Sequence, residues 1–184
     1  RGGSATVHFP IWHQEIRDII VLKNNKGTED NRVRKLDYSI QLSALFYQRF
    51  IDNEKITLFS PHDVAGLYDS FGTESFDDLY KQYELDESIP KTEVNAQELI
   101  LDLLKERAET GRVYLMNIDH CNSHSSFIDK VEMSNLCQEI TLPTKPIQHI
   151  DDKTGEIALC ILSAINVGKI RDLSDLEVLC DLAV

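Results

Sequence analysis

A chain of 184 residues, 42% of them hydrophobic, is long enough and apolar enough to bury a core and fold as one domain. Its formal charge of -12 excludes a general nucleic-acid-binding surface, which must neutralise phosphates, and leaves only local basic clusters to hold one. No apolar run reaches the roughly 18 residues of a membrane span and no signal-peptide pattern opens the chain, so a soluble, intracellular protein is expected.

Arg1, Gly2, Gly3 and Ser4 read as a flexible loop end, and the β-prone residues 5–9 are expected to follow as a strand. Such a glycine-containing loop suits close approach to a ligand, and equally an ordinary turn. Over residues 10–23, a first-turn Pro10 and the stripe Trp12, Ile16, Ile19, Ile20 and Leu22 predict a helix, with Gly27 placed for a left-handed cap. A charged connection leads to a second predicted helix over 36–51, where Leu36, Ile40, Ala44, Tyr47 and Ile51 recur at threes and fours. Ser60 and Pro61 read as the cap and first turn of a short helix, and residues 68–85 as a surface helix with an aromatic anchor. Residues 91–110 give the clearest helical pattern, stopped by Gly111.

Residues 112–118 have the β-branched and aromatic content of a strand, and a helix running directly into a strand is the α/β rhythm. A polar loop over 119–126 is then expected at the strand's C-terminal end, where α/β folds often carry function. Pro143 and Pro146 force irregular backbone, residues 151–155 a turn, and the apolar run 156–167 predicts a strand buried on both faces. Its large residues Ile157, Leu159, Ile161 and Ile165 alternate with Ala158, Cys160, Leu162, Ala164 and Asn166, a face suited to a barrel interior. Residues 173–184 read as a helix still in progress. With no initiator Met at Arg1, the expectation is a piece of a longer protein.

Four cysteines do not make a disulfide scaffold, so thiols with separate tasks are expected. Asn135, Cys137 and Glu139 fall on alternate residues, and in an extended backbone they share one face over about 13 Å. That row of amide, thiol and carboxylate can do chemistry, and it also fits a polar strand edge that happens to hold a cysteine. His120, Cys121 and His124, with Cys137 far along the chain, supply half of a zinc pattern but lack a second close pair. Hydrogen bonds from Asp119 and His120 that orient a loop are the favoured reading there, and no metal site is assigned. Cys180, among Leu176, Leu179 and Leu182, reads as buried apolar sulfur, and so does Cys160 taken alone.

Taken together, several stretches resemble the large, catalytic subunit of class I ribonucleotide reductase. They are Arg1-Gly2-Gly3, His8-Phe9-Pro10-Ile11-Trp12-His13, Val21-Leu22-Lys23-Asn24-Asn25-Lys26-Gly27, Leu58-Phe59-Ser60-Pro61, Asp119-His120-Cys121-Asn122, Ser134-Asn135-Leu136-Cys137-Gln138-Glu139 and Gly155-Glu156-Ile157-Ala158-Leu159-Cys160. The resemblance runs the length of the chain, and its weight lies in the order of many motifs.

The resemblance implies an α/β fold, part of a ten-stranded α/β barrel with an inner finger loop carrying a radical cysteine. Residues 1–184 would be a partial catalytic barrel domain, without the N-terminal regulatory region or the second half of the barrel, and inactive alone. Cys137 matches the cysteine whose thiyl radical removes the ribose 3′ hydrogen, Glu139 the carboxylate that takes the 3′-hydroxyl proton, and Asn135 the amide that hydrogen-bonds the substrate. Cys160 matches one member of the redox-active cysteine pair, its partner outside this chain. Arg1, Gly2 and Gly3 match the end of the loop that reports effector identity to the substrate site.

The implied reaction reduces ribonucleoside diphosphates to deoxy forms for DNA synthesis in the cytoplasm. The implied partners are a small, metal-containing subunit that supplies the radical, a second large subunit, and thioredoxin or glutaredoxin as reductant. The resemblance places no cofactor on this chain, and ATP and deoxynucleotide effectors on the full-length subunit. The competing readings are a non-catalytic α/β scaffold that binds a protein partner through its acidic helices, and a zinc hydrolase centred on Cys121 and His124.

Overall fold

A computed structural model describes residues 3–145, 147, 149–156 and 162–183. Its centre is a three-stranded parallel sheet. The strand β1 (Thr6–Pro10) pairs with β2 (Asp37–Leu42), His8 opposite Ser39. On its other side β2 pairs with a strand at Val113–Asn117, Ile40 opposite Leu115. A strand at Lys55–Phe59, β3, and another at Lys91–Asn95, β4, form a separate antiparallel pair, which makes the strand at Val113–Asn117 β5. Seven helices lie among the described residues: α1 (Ile16–Ile19), α2 (Ala44–Ile51), α3 (Leu67–Ser70), α4 (Phe76–Leu85), α5 (Ala96–Thr110), α6 (Ile118–Ser123) and α7 (Asp175–Ala183). None is long and apolar enough to cross a membrane.

Alternation along the strands gives the sheet two unlike faces. Tyr38, Ile40 and Leu42 share one face of β2, and Ile40, Leu42 and Val113 join Phe46, Leu99, Ile100 and Leu103 in the main core. A knot of buried rings extends that core through Trp12, Phe46, Phe59, Phe71, Phe76 and Tyr80, with Phe71 and Phe76 centroids 4.6 Å apart. Ser39 and Gln41 of β2 point the other way and are buried nonetheless, at 0% and 2% exposure. A polar pair buried on a central strand needs partners, and the chain returns later to supply them.

Several predicted helices are shorter than expected, each for a local reason. Over 10–23 only Ile16–Ile19 is helical. Around it the backbone N–H groups are spent on strands: Ile11 donates to the Gln41 carbonyl and Gln14 to that of Phe59, while Trp12 accepts from Phe59. The apolar stripe is still buried, Trp12 and Ile16 completely. The helix expected over 36–51 is a strand followed by a helix, divided at the extended Ser43. That over 91–110 likewise begins as β4, and Asn95 then caps α5 by accepting the Glu98 N–H at 3.1 Å. Gly111 ends α5 as expected, with φ +65°.

Residues 68–85 break at Gly72, φ +87°, into the end of α3 and α4, and residues 60–63 are turns. Gly27 has the expected positive φ, in a loop. The loop predicted over 119–126 begins as α6. In the run 156–167, residues 157–161 lie outside the described residues, and 162–166 are exposed or partly exposed chain with no strand pairing. Apolar content alone does not make a strand where no neighbour pairs with it. The C-terminal helix is present as α7, where Cys180 is exposed, because the surrounding leucines find no facing layer among the described residues.

Candidate active site

The polar face of the sheet is covered by a hairpin. Met133–Ser134 (β6) pairs antiparallel with Thr141–Leu142 (β7), and residues 135–140 form the loop between them. The expectation of an extended row for Asn135, Cys137 and Glu139 is therefore corrected. The three residues occupy a closed loop, since the Asn135 N–H donates to the Ile140 carbonyl at 3.0 Å and the Gln138 N–H to the Asn135 carbonyl at 3.2 Å. The Asn135 side-chain oxygen accepts the Ile140 N–H at 3.1 Å, so this residue shapes the loop it sits in. Sequence alternation suggested strand geometry, but two cross-loop hydrogen bonds turn the chain within six residues.

The loop keeps the three residues close in sequence and space, Asn135 half-buried and Cys137 and Glu139 exposed. Polar groups of the sheet hold the hairpin from below. Thr6 Oγ1 donates to the Leu136 carbonyl at 2.6 Å, and Gln41 Nε2 to the Glu132 carbonyl at 2.6 Å. Ser39 Oγ donates to Gln138 Oε1 at 2.7 Å, and Gln138 Nε2 donates to the Leu115 carbonyl at 2.6 Å. His8 Nε2 lies 3.4 Å from both the backbone nitrogen and the hydroxyl of Ser134. Burial lowers the His8 pKa to about 4, which keeps the ring neutral near pH 7. Thr6, His8, Ser39, Gln41 and Gln138 were not expected as anchors from the sequence. The signal present in the sequence is the polar pair Ser39 and Gln41 alternating with Tyr38, Ile40 and Leu42.

Beside the hairpin, a cleft of about 410 Å³ is lined by Leu115, Asn117, His120, Cys121, His124 and Gln138, among others. Burial, and the nearby Asp119 carboxylate, push the Cys121 thiol up, away from a reactive thiolate. Among the described residues no group of three His, Cys, Asp or Glu side chains converges as a metal site. Asp119 is committed elsewhere: its carboxylate accepts the Ala44 N–H at 2.7 Å and the His120 N–H at 2.8 Å, the loop-orienting role expected of it. Of the remaining candidates, Arg1, Gly2 and Cys160 lie outside the described residues, and Gly3 is exposed ahead of β1.

Comparison with known proteins bears on the whole chain. The family model described as ribonucleotide reductase, barrel domain, matches residues 1–184. The chain is 57% identical over 178 residues to the ribonucleoside-diphosphate reductase subunit alpha of Haemophilus influenzae, covering 94% of this chain and 24% of that protein. It is 54% identical over 189 residues to the corresponding subunit of Buchnera aphidicola from Schizaphis graminum, covering 100% of this chain and 25% of that protein. To the ribonucleoside-diphosphate reductase 1 subunit alpha of Escherichia coli it is 54% identical over 152 residues, covering 80% of this chain and 20% of that one. The chain thus spans about a quarter of the length of the curated relatives it matches. With its parallel α/β sheet and a match along its full length, the chain belongs to the ribonucleotide reductase barrel-domain family.

Proposed function

We propose that this chain is part of the catalytic barrel of a ribonucleoside-diphosphate reductase large subunit. The observation that carries the reading is the anchored hairpin, which holds an amide, a thiol and a carboxylate on one short loop over the polar face of a parallel sheet. In this reading the sheet belongs to a ten-stranded barrel, the hairpin is its inner finger loop, and residues 1–184 are a partial domain of a longer cytoplasmic enzyme. The fragment alone is inactive.

The chemistry follows from the residue types. A thiyl radical on Cys137 takes the hydrogen atom from ribose C3′, forming S–H and leaving a carbon radical. Glu139 accepts the 3′-hydroxyl proton while Asn135 holds the same edge of the ribose, a task for groups within hydrogen-bond reach. The 2′-hydroxyl leaves as water after protonation by the thiol pair that contains Cys160. That pair supplies two electrons and becomes a disulfide, and Cys137 returns its hydrogen to C3′, which restores the thiyl radical. Fixing the reacting groups against the ribose supplies much of the rate.

Arg1, Gly2 and Gly3 end the loop that couples effector nucleotide to substrate choice. The radical originates on a separate small subunit, the large subunits pair, ATP and deoxynucleotides bind the full-length chain as effectors, and thioredoxin or glutaredoxin re-reduces the disulfide.

The test uses the full-length parent with its small subunit, assayed for diphosphate reduction with dithiothreitol. Cys160→Ser is expected to stop deoxynucleotide formation while substrate is still consumed by abortive breakdown, because radical initiation survives and reduction does not. Normal deoxynucleotide yield from Cys160→Ser would contradict the assignment.

A further inference from the structure

Gln138 stands between the two exposed residues to which the proposed chemistry assigns radical and proton transfer, and its own side chain turns inward. We infer that Gln138 is a positioning residue that fixes the Cys137 thiol and the Glu139 carboxylate by clamping the loop across two strands of the sheet. The inference rests on the reading of Cys137 as the radical cysteine.

The clamp has one satisfying arrangement. The Leu115 carbonyl on β5 can only accept, so the Gln138 amide nitrogen must face it, and the distance is 2.6 Å. That orientation leaves Gln138 Oε1 facing β2, where Ser39 Oγ donates to it at 2.7 Å. Ser39 is fully buried, so its hydroxyl has no water to turn to if the amide is removed. One side chain therefore spans adjacent strands and fills the needs of both.

The backbone at Gln138 gives a second, independent sign. Its φ is +63°, a left-handed conformation unfavourable for a residue with this side chain. The other non-glycine residue with positive φ among those described, Asn53, lies just past the end of α2, where asparagine is at ease. A left-handed glutamine persists when its surroundings over-determine it, and such positions gather at functional sites. Here the two amide hydrogen bonds are those surroundings. Thr6 secures the backbone at Leu136, and Gln41 the approach at Glu132, so the clamp at Gln138 completes the attachment beyond Cys137.

The test uses the full-length parent with its small subunit, a nucleoside diphosphate and dithiothreitol. Gln138→Met keeps the length and removes both hydrogen bonds. Gln138→Gly removes the side chain but suits the backbone, and Ser39→Ala removes one partner. In both Gln138 variants kcat is expected to fall roughly ten- to hundredfold with KM held within about twofold, the signature of misplaced reacting groups. Ser39→Ala should lose less, and should add nothing to Gln138→Met, because the two changes break the same bond. A purely structural role would lower native protein content without that kinetic split.

Wild-type kcat in Gln138→Met or Gln138→Gly overturns the inference, as does an additive loss from Ser39→Ala. If Gln138→Met fails to fold, Gln138→Gly and Ser39→Ala decide by the same criteria. Cys137→Ser is run alongside: an inert Cys137→Ser with a fully active Gln138→Met sinks the clamp alone, whereas an active Cys137→Ser sinks the radical reading beneath it.

Discussion

Arg49 of α2 and Glu84 of α4 meet in a two-pronged ion pair, Nη1 at 2.5 Å from Oε1 and Nη2 at 2.6 Å from Oε2. Their side chains are only 10% and 18% exposed, the Arg49 guanidinium lies 5.1 Å from the Tyr80 ring centroid, and Thr57 donates its hydroxyl to Glu84. The Glu84 hydrogen bond, chiefly, raises the Arg49 pKa. Glu84→Leu strands a buried cation and should cost about 3–5 kcal/mol, while Arg49→Met with Glu84→Leu should recover most of that loss. Urea unfolding of the three proteins checks this, and a single-variant cost below about 1 kcal/mol would place the pair among weak surface bridges.

Gly72 closes the turn between α3 and α4 with φ +87°, and a Cβ there would meet Ile118 Cγ1 at 2.8 Å and Asn122 Nδ2 at 2.9 Å. Gly72→Ala combines backbone strain with a clash against α6 and should destabilise by about 2–3 kcal/mol. Gly66 also has a positive φ, +75°, but open space around it, so Gly66→Ala should cost only about 1 kcal/mol. Equal losses at the two glycines, read from unfolding midpoints, would contradict the packing argument.

Asp119, in the first turn of α6, ties that helix to the start of α2 by accepting the Ala44 N–H, where the extended Ser43 makes no side-chain cap of its own. Asp119→Ala should cost about 1 kcal/mol, the usual value of a lost helix cap, with Asp119→Asn retaining most of it. An Asp119→Ala protein as stable as the parent would show that α2 starts without this support.

His8 gives a pH dependence with a definite sign. Burial lowers its folded pKa to about 4 from 6.5, so between those values the unfolded chain binds the extra proton. The His8 contribution is complete above pH 6.5 and declines as pH falls towards 4, by an amount on the order of 3 kcal/mol. His8→Gln should remove this portion of the acid sensitivity in denaturant titrations at pH 7 and pH 5. An unchanged slope with pH would mean that His8 titrates freely.

Much of the fold was legible because certain segments carry one signal only. The strand expected over 112–118 is β5, Val113–Asn117, and the helical pattern before it stops at Gly111 as α5 does. Elsewhere two periods overlap. The alternation Tyr38, Ile40, Leu42 against Ser39 and Gln41 was present, but apolar residues spaced by threes and fours extend the pattern of α2 backwards through it. β3 and β4 were hidden for another reason, since Lys55 and Thr92 sit in short strands whose pairing is known only once they meet. The candidate residues stand together in one motif, but the loop they occupy was not legible, because Ser39 and Leu115 reach Gln138 from distant parts of the chain.

The Cys137 sulfur carries the central step of the proposed chemistry. In the full-length parent with its small subunit, saturating nucleoside diphosphate and dithiothreitol, Cys137→Ser should form no deoxynucleotide and consume no substrate. Serine is close to cysteine in size but lacks the weak S–H bond on which the proposed hydrogen transfer from ribose depends. Turnover of Cys137→Ser at the wild-type rate would contradict the thiyl mechanism and favour the scaffold reading of this domain.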